Sequence, residues 1–315
     1  MERKQFIKLI VGTAGMLTLG SFSRITDAMA EQDEKHPVLF IGHGSPMNGI
    51  ENNAFSQTWG KLGLEISRPK AVLCISAHWL TRRTHITAMQ TPKTIHDFGG
   101  FPKELFAVEY PAPGNPQLAE ETAKMVKKTK VGLDHEWGLD HGTWSVVKNM
   151  YPNADIPVLQ LSIDYGQPMQ YHYELAKELA ELRKKGVLII GSGNMVHNLG
   201  MVAWDKMNEP GYGYDWAIEM NTNFKQLILN KNHQALIDYQ KMGSAAMLAI
   251  PTPDHYIPLI YTLALQDDQD EVSFFNDRLV AGSLTMTSVM ISDKRISVEL
   301  PLKEEEADST VSDSI

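Results

Sequence analysis

The sequence of 315 residues contains a single cysteine, Cys74, so it can form neither an internal disulfide nor a four-cysteine zinc site. It also lacks any run of eighteen apolar residues, which excludes a standard transmembrane helix. Basic residues are fewer than acidic ones: the chain has 29 Lys and Arg residues and 38 Asp and Glu residues, which gives a formal net charge of -9. That balance argues against nucleic acid as a partner, since surfaces that bind phosphates are basic.

Histidine, in contrast, is abundant, with 11 residues in the chain. The overall composition is ordinary, with 43% hydrophobic and 21% charged residues, and it predicts a globular protein. Histidine is the commonest metal ligand among the side chains, and it titrates near neutral pH. The positions of the histidines are therefore the main guide to function.

The first thirty residues have the pattern of an export signal, too short for a membrane-spanning helix. Residues 1–8 are basic, residues 9–20 are moderately apolar, and Ala28-Met29-Ala30 predicts cleavage after Ala30. Arg3-Lys4 approximates a twin-arginine motif, with lysine in the place of the second arginine. An ordinary secretory signal or a leader that stays attached are the alternatives. We expect a periplasmic or otherwise exported protein that has no membrane contact after the signal is removed.

The rest of the chain alternates between strand and helix patterns. Short apolar runs predict buried parallel strands at residues 38–41, 71–75, 158–163 and 187–190. Helical patterns lie between or after them, at residues 53–64, 115–128, 169–185 and 215–230. Residues 272–298 are typical of terminal strands. This order predicts a single-domain α/β sandwich over residues 31–300, with a central, mostly parallel sheet and helices on both faces. The acidic residues 301–315 predict a flexible tail.

Histidines follow three of the predicted strands at the point where each strand ends. His43 follows the first strand, His78 the second and His197 the fourth, while His141 and His255 lie in loops. Because the carboxyl ends of parallel strands form the ligand crevice, we expect these side chains to meet there. Several imidazoles in one cleft repel one another when charged, and a divalent cation removes that repulsion. Zinc and iron(II) are ions that suit imidazole ligands.

The other histidines show no spacing that ties them to this cluster. Three of them are expected at the mature amino terminus or at surface helices, namely His36, His172 and His233. The remaining three stay unassigned, namely His85, His96 and His135.

A long stretch rich in Gly, Pro and aromatic residues occupies residues 94–114. A loop of that length is typical of a lid or a binding wall, here for a flat substrate; the equal alternative is that its aromatic residues bury the loop on the sheet. Trp79, Trp144 and Tyr256 stand next to the cluster histidines. Each of them either lines the same pocket or belongs to the core.

Five motifs together resemble the DODA-type extradiol ring-opening dioxygenases, within the class III extradiol superfamily. They are Gly42-His43-Gly44-Ser45-Pro46, Ser76-Ala77-His78-Trp79, Leu139-Asp140-His141-Gly142-Thr143-Trp144, Gly191-Ser192-Gly193 with His197-Asn198, and Thr252-Pro253-Asp254-His255-Tyr256. The resemblance runs from His36 to Ser292 in the same order as in the family. It implies metal-dependent cleavage of a catechol ring beside its two hydroxyls, with insertion of O2. The implied partners are a small catechol of the 4,5-DOPA type and O2.

The resemblance also implies roles for the five histidines. His43, His78 and His255 match metal-binding positions. His197 matches a position that acts as an acid or base in class III enzymes and as a further zinc ligand in other members. His141 matches a catalytic histidine beside the metal. In this reading His141 and His197 exchange protons with the catechol and with its ring-opened product.

Two features depart from the family pattern. Class III enzymes complete an iron site with a glutamate, whereas the matching region here holds His255, with Asp254 adjacent. An all-nitrogen set is typical of zinc, which has no redox chemistry, so the implied ion is Fe(II) for turnover or Zn(II) as bound. The export signal is the second departure, because family members are usually cytoplasmic, and a cytoplasmic location is therefore the alternative.

Two other functions fit the same histidine cluster. A zinc-dependent hydrolase would use a metal-bound water as the nucleophile and His197 as the base. An exported metal-binding protein would fill every coordination position of the ion with its own side chains and leave no open site for a substrate.

Overall fold

A computed structural model describes residues 35–207, 209–294 and 296 of the chain. The predicted leader at residues 1–30 and the predicted tail at residues 301–315 lie outside these residues. Within the described part of the chain, no helix is both long enough and apolar enough to cross a membrane.

The strands are short, and most of them are only two to six residues long. In chain order they are β1 (Val38–Gly42), β2 (Ala71–Ser76), β3 (Leu80–Thr81), β4 (His85–Thr87), β5 (Lys93–Thr94), β6 (Gly132–Asp134), β7 (Gly138–Leu139), β8 (Val158–Gln160), β9 (Ile163–Asp164), β10 (Val187–Gly193), β11 (Glu271–Phe275), β12 (Leu279–Val280), β13 (Leu284–Thr285) and β14 (Ser288–Ser292).

The helices lie mainly between strands of the central sheet. In chain order they are α1 (Ala54–Glu65), α2 (Lys103–Phe106), α3 (Pro116–Met125), α4 (His141–Met150), α5 (Met169–Lys177), α6 (Glu181–Lys184), α7 (Asp215–Leu229), α8 (His233–Ile237), α9 (Ser244–Ala249) and α10 (Ile257–Ala264). Short 3₁₀ helices occupy Pro46–Gly49, Leu199–Met201, Trp204–Lys206 and Tyr239–Met242.

The central sheet has six strands in the order β11-β14-β1-β10-β2-β8. Strands β1, β10, β2 and β8 run parallel to one another, whereas β14 and β11 are antiparallel additions at one edge. The prediction of a mostly parallel sheet with terminal strands is therefore confirmed. A parallel order requires crossover connections, and the helices between these strands supply them.

Alternating side chains of β1 show that helices cover both faces of the sheet. Val38 and Phe40 belong to a core cluster that also contains residues of α5, α7 and α10. Leu39 and Ile41 belong to a second cluster, which contains residues of α1 and α4. Because successive side chains of a strand point to opposite faces, the two clusters lie on opposite sides of the sheet. The predicted α/β sandwich is confirmed.

Two predicted elements are interrupted in the structure. The strand expected at residues 158–163 ends at Gln160, and β9 resumes the extended chain but pairs with β3 instead. The helix expected at residues 169–185 is divided into α5 and α6, because the backbone hydrogen bonds between them span three residues rather than four. Both interruptions change strand and helix bounds but leave the order of the elements intact.

His172 corrects one expectation from the sequence. It lies in α5, but it is fully buried rather than on a surface helix, and its Nδ1 is 3.2 Å from the hydroxyl of Tyr261 in α10. Leu175 and Ala176, three and four residues later, are also buried. His172 therefore shares the apolar face of α5, and burial lowers its pKa to about 4.

A buried ion pair fastens the start of the described chain to the sheet edge. Arg183, at 1% exposure, donates from both terminal guanidinium nitrogens to the carboxylate of Asp270, at 2.7 and 3.0 Å. The same guanidinium also donates to the carbonyl oxygens of His36 and Leu265. Burial acts to raise the pKa of Asp270, but the hydrogen bonds from Arg183, the Asp267 amide and Lys35 outweigh it and hold the pKa at about 2.

We predict that Asp270→Ala lowers the free energy of unfolding by about 3–5 kcal/mol, because it leaves the Arg183 charge buried without its partner. Denaturant unfolding followed by circular dichroism measures this loss. The contribution of Asp270 is fully present above its unfolded pKa of about 4 and disappears as the pH falls toward about 2, where the native carboxylate is protonated.

The matched control is Glu181→Ala, which removes the exposed i,i+3 pair of Glu181 with Lys184 on α6. Its effect should stay within about 1 kcal/mol, since exposed pairs contribute little. Equal losses in the two variants would show that the Arg183–Asp270 pair does not anchor this edge.

Candidate functional site

Three of the predicted site histidines lie at the carboxyl ends of three adjacent strands. His43 directly follows β1, His78 lies two residues after β2, and His197 lies four residues after β10. Strand β10 sits between β1 and β2 in the sheet and is parallel to both. Their carboxyl ends therefore meet at one edge, as the strand order in such sheets requires.

The other two site histidines were expected in loops, but they lie at the amino-terminal ends of two helices that the sequence did not predict. His141 is the first residue of α4, which Asp140 caps by accepting a hydrogen bond from the Thr143 amide. His255 lies two residues before α10. Its carbonyl oxygen accepts a hydrogen bond from the Asn194 amide at 2.9 Å, which ties this segment to the end of β10.

Glycines allow these segments to approach closely. A Cβ atom at Gly193 would lie 2.1 Å from the carbonyl oxygen of His255. A Cβ atom at Gly142 would lie 2.6 Å from Oγ of Ser76 and 2.9 Å from Cδ2 of His78. Since real side chains do not tolerate such contacts, a larger residue at either position would push a site histidine away.

The structure brings all five predicted histidines into one cluster. The ring centroids of His43, His78 and His255 lie 5.0–5.3 Å apart, and the rings are tilted against one another by 44–88°. His141 adjoins this triangle, with its ring centroid 3.9 Å from that of His78. His197 stacks on His255 at 3.6 Å, with the two rings within 7° of parallel.

The hydrogen bonds of His43 define where its ring proton lies. Its Nδ1 is 3.0 Å from Oγ of Ser192, and that hydroxyl donates its own hydrogen to the carbonyl oxygen of Gly142 at 2.5 Å. Ser192 must therefore accept from His43, so His43 carries its hydrogen on Nδ1. The Nε2 atom of His43 is left with a free lone pair.

Two carboxylates face the Nδ1 atoms of three other histidines, as Ser192 faces that of His43. Asp254 accepts from Nδ1 of His255 at 2.5 Å. Asp97 accepts from Nδ1 and from the backbone amide of His141, at 3.0 and 2.9 Å, and one of its oxygens lies 3.4 Å from Nδ1 of His78. Each carboxylate favours a hydrogen on the facing Nδ1 and therefore leaves Nε2 as the bare nitrogen.

Asp97 is the one member of the site that the sequence did not identify. The only feature of the sequence that points to Asp97 is its position next to His96. His96 itself lies outside the cluster, and its Nε2 forms a hydrogen bond with the carbonyl oxygen of Val108. Asp140 and Asp254 also stand next to histidines. An acidic residue next to a histidine in the sequence is thus an indication of a site residue, but an unspecific one. The sequence does not show which imidazole the carboxylate will contact in the folded protein.

The pKa values of three of the cluster histidines are lowered, which favours their neutral form, and so are those of the two carboxylates beside the cluster. Burial, followed by repulsion from the neighbouring rings, lowers the pKa of His43 and of His78 well below the ordinary value. The same two causes lower the pKa of His197 to about 3. Burial acts to raise the pKa of Asp97 and of Asp254, but hydrogen bonds from His141 and His255 outweigh it and lower both.

This arrangement fits a divalent cation. The Nε2 atoms of His43 and His78 are 3.0 Å apart, while Nδ1 of His43 is paired with Ser192 and Nδ1 of His78 faces Asp97 at 3.4 Å. With both ring hydrogens on Nδ1, the two Nε2 lone pairs repel each other unless a positive charge lies beside both. Among the described residues, donor atoms lie within 4.8 Å of one another in two sets, His43 with His78 and His141, and His197 with Asp254 and His255.

An aromatic group borders the cluster on the side of His141. The ring of Phe98 meets His141 edge-on at 5.6 Å, and Phe101 and Phe106 pack around Phe98 at 5.5 and 5.1 Å. These residues belong to the 94–114 loop, which the structure interrupts with the short helix α2 (Lys103–Phe106), and they form a wall beside the histidines. The aromatic residues that flank the cluster histidines in sequence are instead core residues, namely Trp79, Trp144 and Tyr256.

Comparison with known proteins agrees with this geometry. Residues 36–290 match the family described as the catalytic LigB subunit of aromatic ring-opening dioxygenase. The chain is 45% identical over 259 residues to a protein of Escherichia coli (strain K12) named 4,5-DOPA dioxygenase extradiol, which covers 81% of this chain and 94% of the relative. It is 32% identical over 268 residues to a protein of the same name from Beta vulgaris, covering 82% and 98% of the two chains.

A solved structure of an uncharacterized protein from Escherichia coli K12 superimposes on the chain with a TM-score of 0.71 and 40% sequence identity. It covers 82% of this chain and 100% of that one. These matches decide among the candidate functions against the hydrolase and the metal-binding protein. The chain belongs to the LigB family of aromatic ring-opening dioxygenases and is an extradiol ring-cleaving enzyme.

Proposed function

We propose that the enzyme opens the ring of a small catechol beside its two hydroxyls, using O2 and a divalent metal ion. The observation that carries this proposal is the 3.0 Å approach of the Nε2 atoms of His43 and His78, next to His255, in a crevice at the strand ends. A catechol of the 4,5-DOPA type is the first substrate to test, because two relatives carry that compound in their names.

His43, His78 and His255 are the residues that would hold the ion. The ring of His255 lies 5.0–5.3 Å from the rings of His43 and His78, and its position matches a metal-binding position of the family. The donor atom of His141 also lies within 4.8 Å of those of His43 and His78, but Asp97 holds Nδ1 of His141, which suits a proton-transfer group. His197 stacks on His255 and is assigned to proton transfer as well. When bound, the ion supplies Lewis acidity toward the catechol hydroxyls and, as Fe(II), the redox chemistry that O2 requires, whereas Zn(II) supplies only the former.

His141 and His197 would move protons on two sides of the cluster. With Nδ1 of His141 donating to Asp97, its Nε2 is the atom that accepts a hydroxyl proton, and the carboxylate faces the positive charge that then forms on the ring. His197 is neutral at pH 7, because burial and His255 lower its pKa to about 3. It therefore also has a free lone pair. The imidazole that takes a proton can return it to the ring-opened product.

The aromatic wall formed by Phe98, Phe101 and Phe106 would hold the flat ring of the substrate. Phe98 is half-buried and meets His141 edge-on, so a catechol bound beside His141 also contacts an apolar aromatic surface. Such a wall excludes water from one side of the reacting ring and positions it for the proton transfers.

We predict that His141→Ala and His197→Ala retain the metal but lose turnover by about 10²–10⁴-fold, as expected for groups that transfer protons. His43→Ala should lose the metal itself. Metal analysis of each purified variant, together with catechol turnover, separates these outcomes.

The exposed His135→Ala is the matched control, since it removes an imidazole outside the cluster and should change neither quantity. If His197→Ala or His141→Ala loses metal as His43→Ala does, that residue is a ligand and the assignment given above is wrong.

We also predict that anoxic reconstitution with Fe(II) yields an enzyme that consumes O2 with a catechol and forms a yellow ring-opened product. Protein loaded with Zn(II) should bind metal to the same extent and consume no O2, because zinc is not redox-active. An oxygen electrode and absorbance spectroscopy measure the two signals. Iron-loaded protein that consumes no O2 with any of several catechols would refute the proposed reaction.

Export of the enzyme is a separate proposal, supported by the pattern of residues 1–30 and by a family match that begins only at residue 36. Expression in a bacterium should give a periplasmic protein that starts at Glu31. Replacing Arg3 with Gln should leave the full-length chain in the cytoplasm, and Lys8→Gln serves as the control for loss of charge alone. Cell fractionation with mass spectrometry tests this, and an uncleaved cytoplasmic wild type would contradict it.

A further inference from the structure

Asp97 occupies an unusual position for a loop residue. It belongs to the 94–114 loop, yet its side chain is only 16% exposed and is inserted between two histidines that come from different elements. One carboxylate oxygen accepts from the backbone amide of His141 at 2.9 Å. The other accepts from Nδ1 of His141 at 3.0 Å and lies 3.4 Å from Nδ1 of His78.

The two bonds to His141 have different consequences. The bond to the backbone amide attaches the loop to the first turn of α4, and any acceptor at this position would serve that purpose. The bond to Nδ1 selects between the two neutral tautomers of the ring. A carboxylate that is charged can only accept, so the ring hydrogen must lie on Nδ1 and Nε2 must be bare.

A neutral imidazole can accept a proton only at its bare nitrogen. If the hydrogen of His141 lay on Nε2, the bare nitrogen would be Nδ1, which faces Asp97 and cannot reach a substrate in the crevice. The orientation of His141 alone therefore does not make it a proton acceptor. The acceptor that faces Nδ1 decides which nitrogen is available for the reaction.

We propose that Asp97 is a positioning residue, which fixes His141 in the Nδ1–H tautomer and thereby presents Nε2 to the catechol. The proposal rests on the proposed function for its catalytic consequence, but the tautomer itself is a property of the protein without metal or substrate. Asp97 touches no reacting atom and acts through the imidazoles that it faces, by a hydrogen bond to His141 and by a longer contact of 3.4 Å with Nδ1 of His78.

The variant Asp97→Asn removes one of the two hydrogen bonds with His141 and keeps the other. Its amide oxygen can still accept from the His141 backbone amide, while its NH₂ group now donates toward Nδ1 and moves the ring hydrogen to Nε2. Turning the amide over would set its NH₂ group against the backbone N–H, donor to donor, which is unfavourable. Asp97→Glu retains two acceptor oxygens and is the conservative variant. Asp134→Asn is the control, because Asp134, at the end of β6, also accepts from two backbone amides and, in the part of the chain that the structure describes, forms no hydrogen bond with a histidine of the cluster.

The experiment is ¹⁵N NMR of the histidine rings in the metal-free full chain, followed by iron content and turnover after anoxic loading. In the wild type and in Asp97→Glu we expect His141 as the Nδ1–H tautomer, with the signal assigned by its loss in His141→Ala. In Asp97→Asn we expect the Nε2–H tautomer, retained iron and a kcat lower by about 10²–10⁴-fold, with KM little changed. Asp134→Asn should resemble the wild type in every measurement.

Two results would overturn the proposal. One is an Nδ1–H tautomer of His141 in Asp97→Asn, and the other is an inverted tautomer with wild-type kcat. A wild-type enzyme that shows the expected tautomer but opens no catechol ring would instead refute the proposed function and leave the positioning role of Asp97 intact. A merely structural role predicts equal losses in Asp97→Asn and Asp97→Glu with no change of tautomer.

Discussion

The close approach of five buried and half-buried imidazoles is the constraint around which this protein is built. The Nε2 atoms of His43 and His78 lie 3.0 Å apart, and Nδ1 of each ring faces an acceptor, Ser192 or Asp97. With both ring hydrogens on Nδ1 the two lone pairs repel each other, and a cation beside them removes that repulsion. The surrounding fold must therefore hold the rings in place against their own repulsion, and rigid strand ends and helix ends serve that purpose better than loops.

The central sheet provides most of that rigidity. Strand β10 lies between β1 and β2, so the segments that carry His43, His78 and His197 leave the sheet side by side. Gly142 and Gly193 let α4 and the segment before α10 pack directly against these strand ends. Burial of the cluster follows from this packing, and burial is the main cause that lowers the pKa of His43, His78 and His197 and so favours the neutral rings that can bind a cation or accept a proton.

Hydrogen-bond acceptors complete the site by orienting the rings. Ser192 lies in β10, Asp254 directly precedes the histidine that it orients, and Asp97 arrives from a distant loop. The three acceptors differ in how firmly the fold fixes them. The position of Ser192 is fixed by a strand, and that of Asp254 by its place next to His255 in the chain. The position of Asp97 depends on how the whole 94–114 loop packs against the protein. The same loop carries Phe98, so the aromatic wall and the orientation of His141 are set together.

Sequence patterns alone predicted the main strands of the central sheet, the helices that correspond to α1, α3, α5 and α7, and the five histidines of the cluster, because apolar periodicity and residues after strand ends are local features. Tertiary packing added what local patterns do not encode, including the helices α4 and α10 beside His141 and His255. It buried His172 between two helices, it ended β8 early, and it brought Asp97 to His141 across 44 residues of chain. The physical reason is that hydrogen bonds and ring tilts depend on distances between segments that are remote in sequence. A sequence shows which donors and acceptors exist, and packing decides which of them meet.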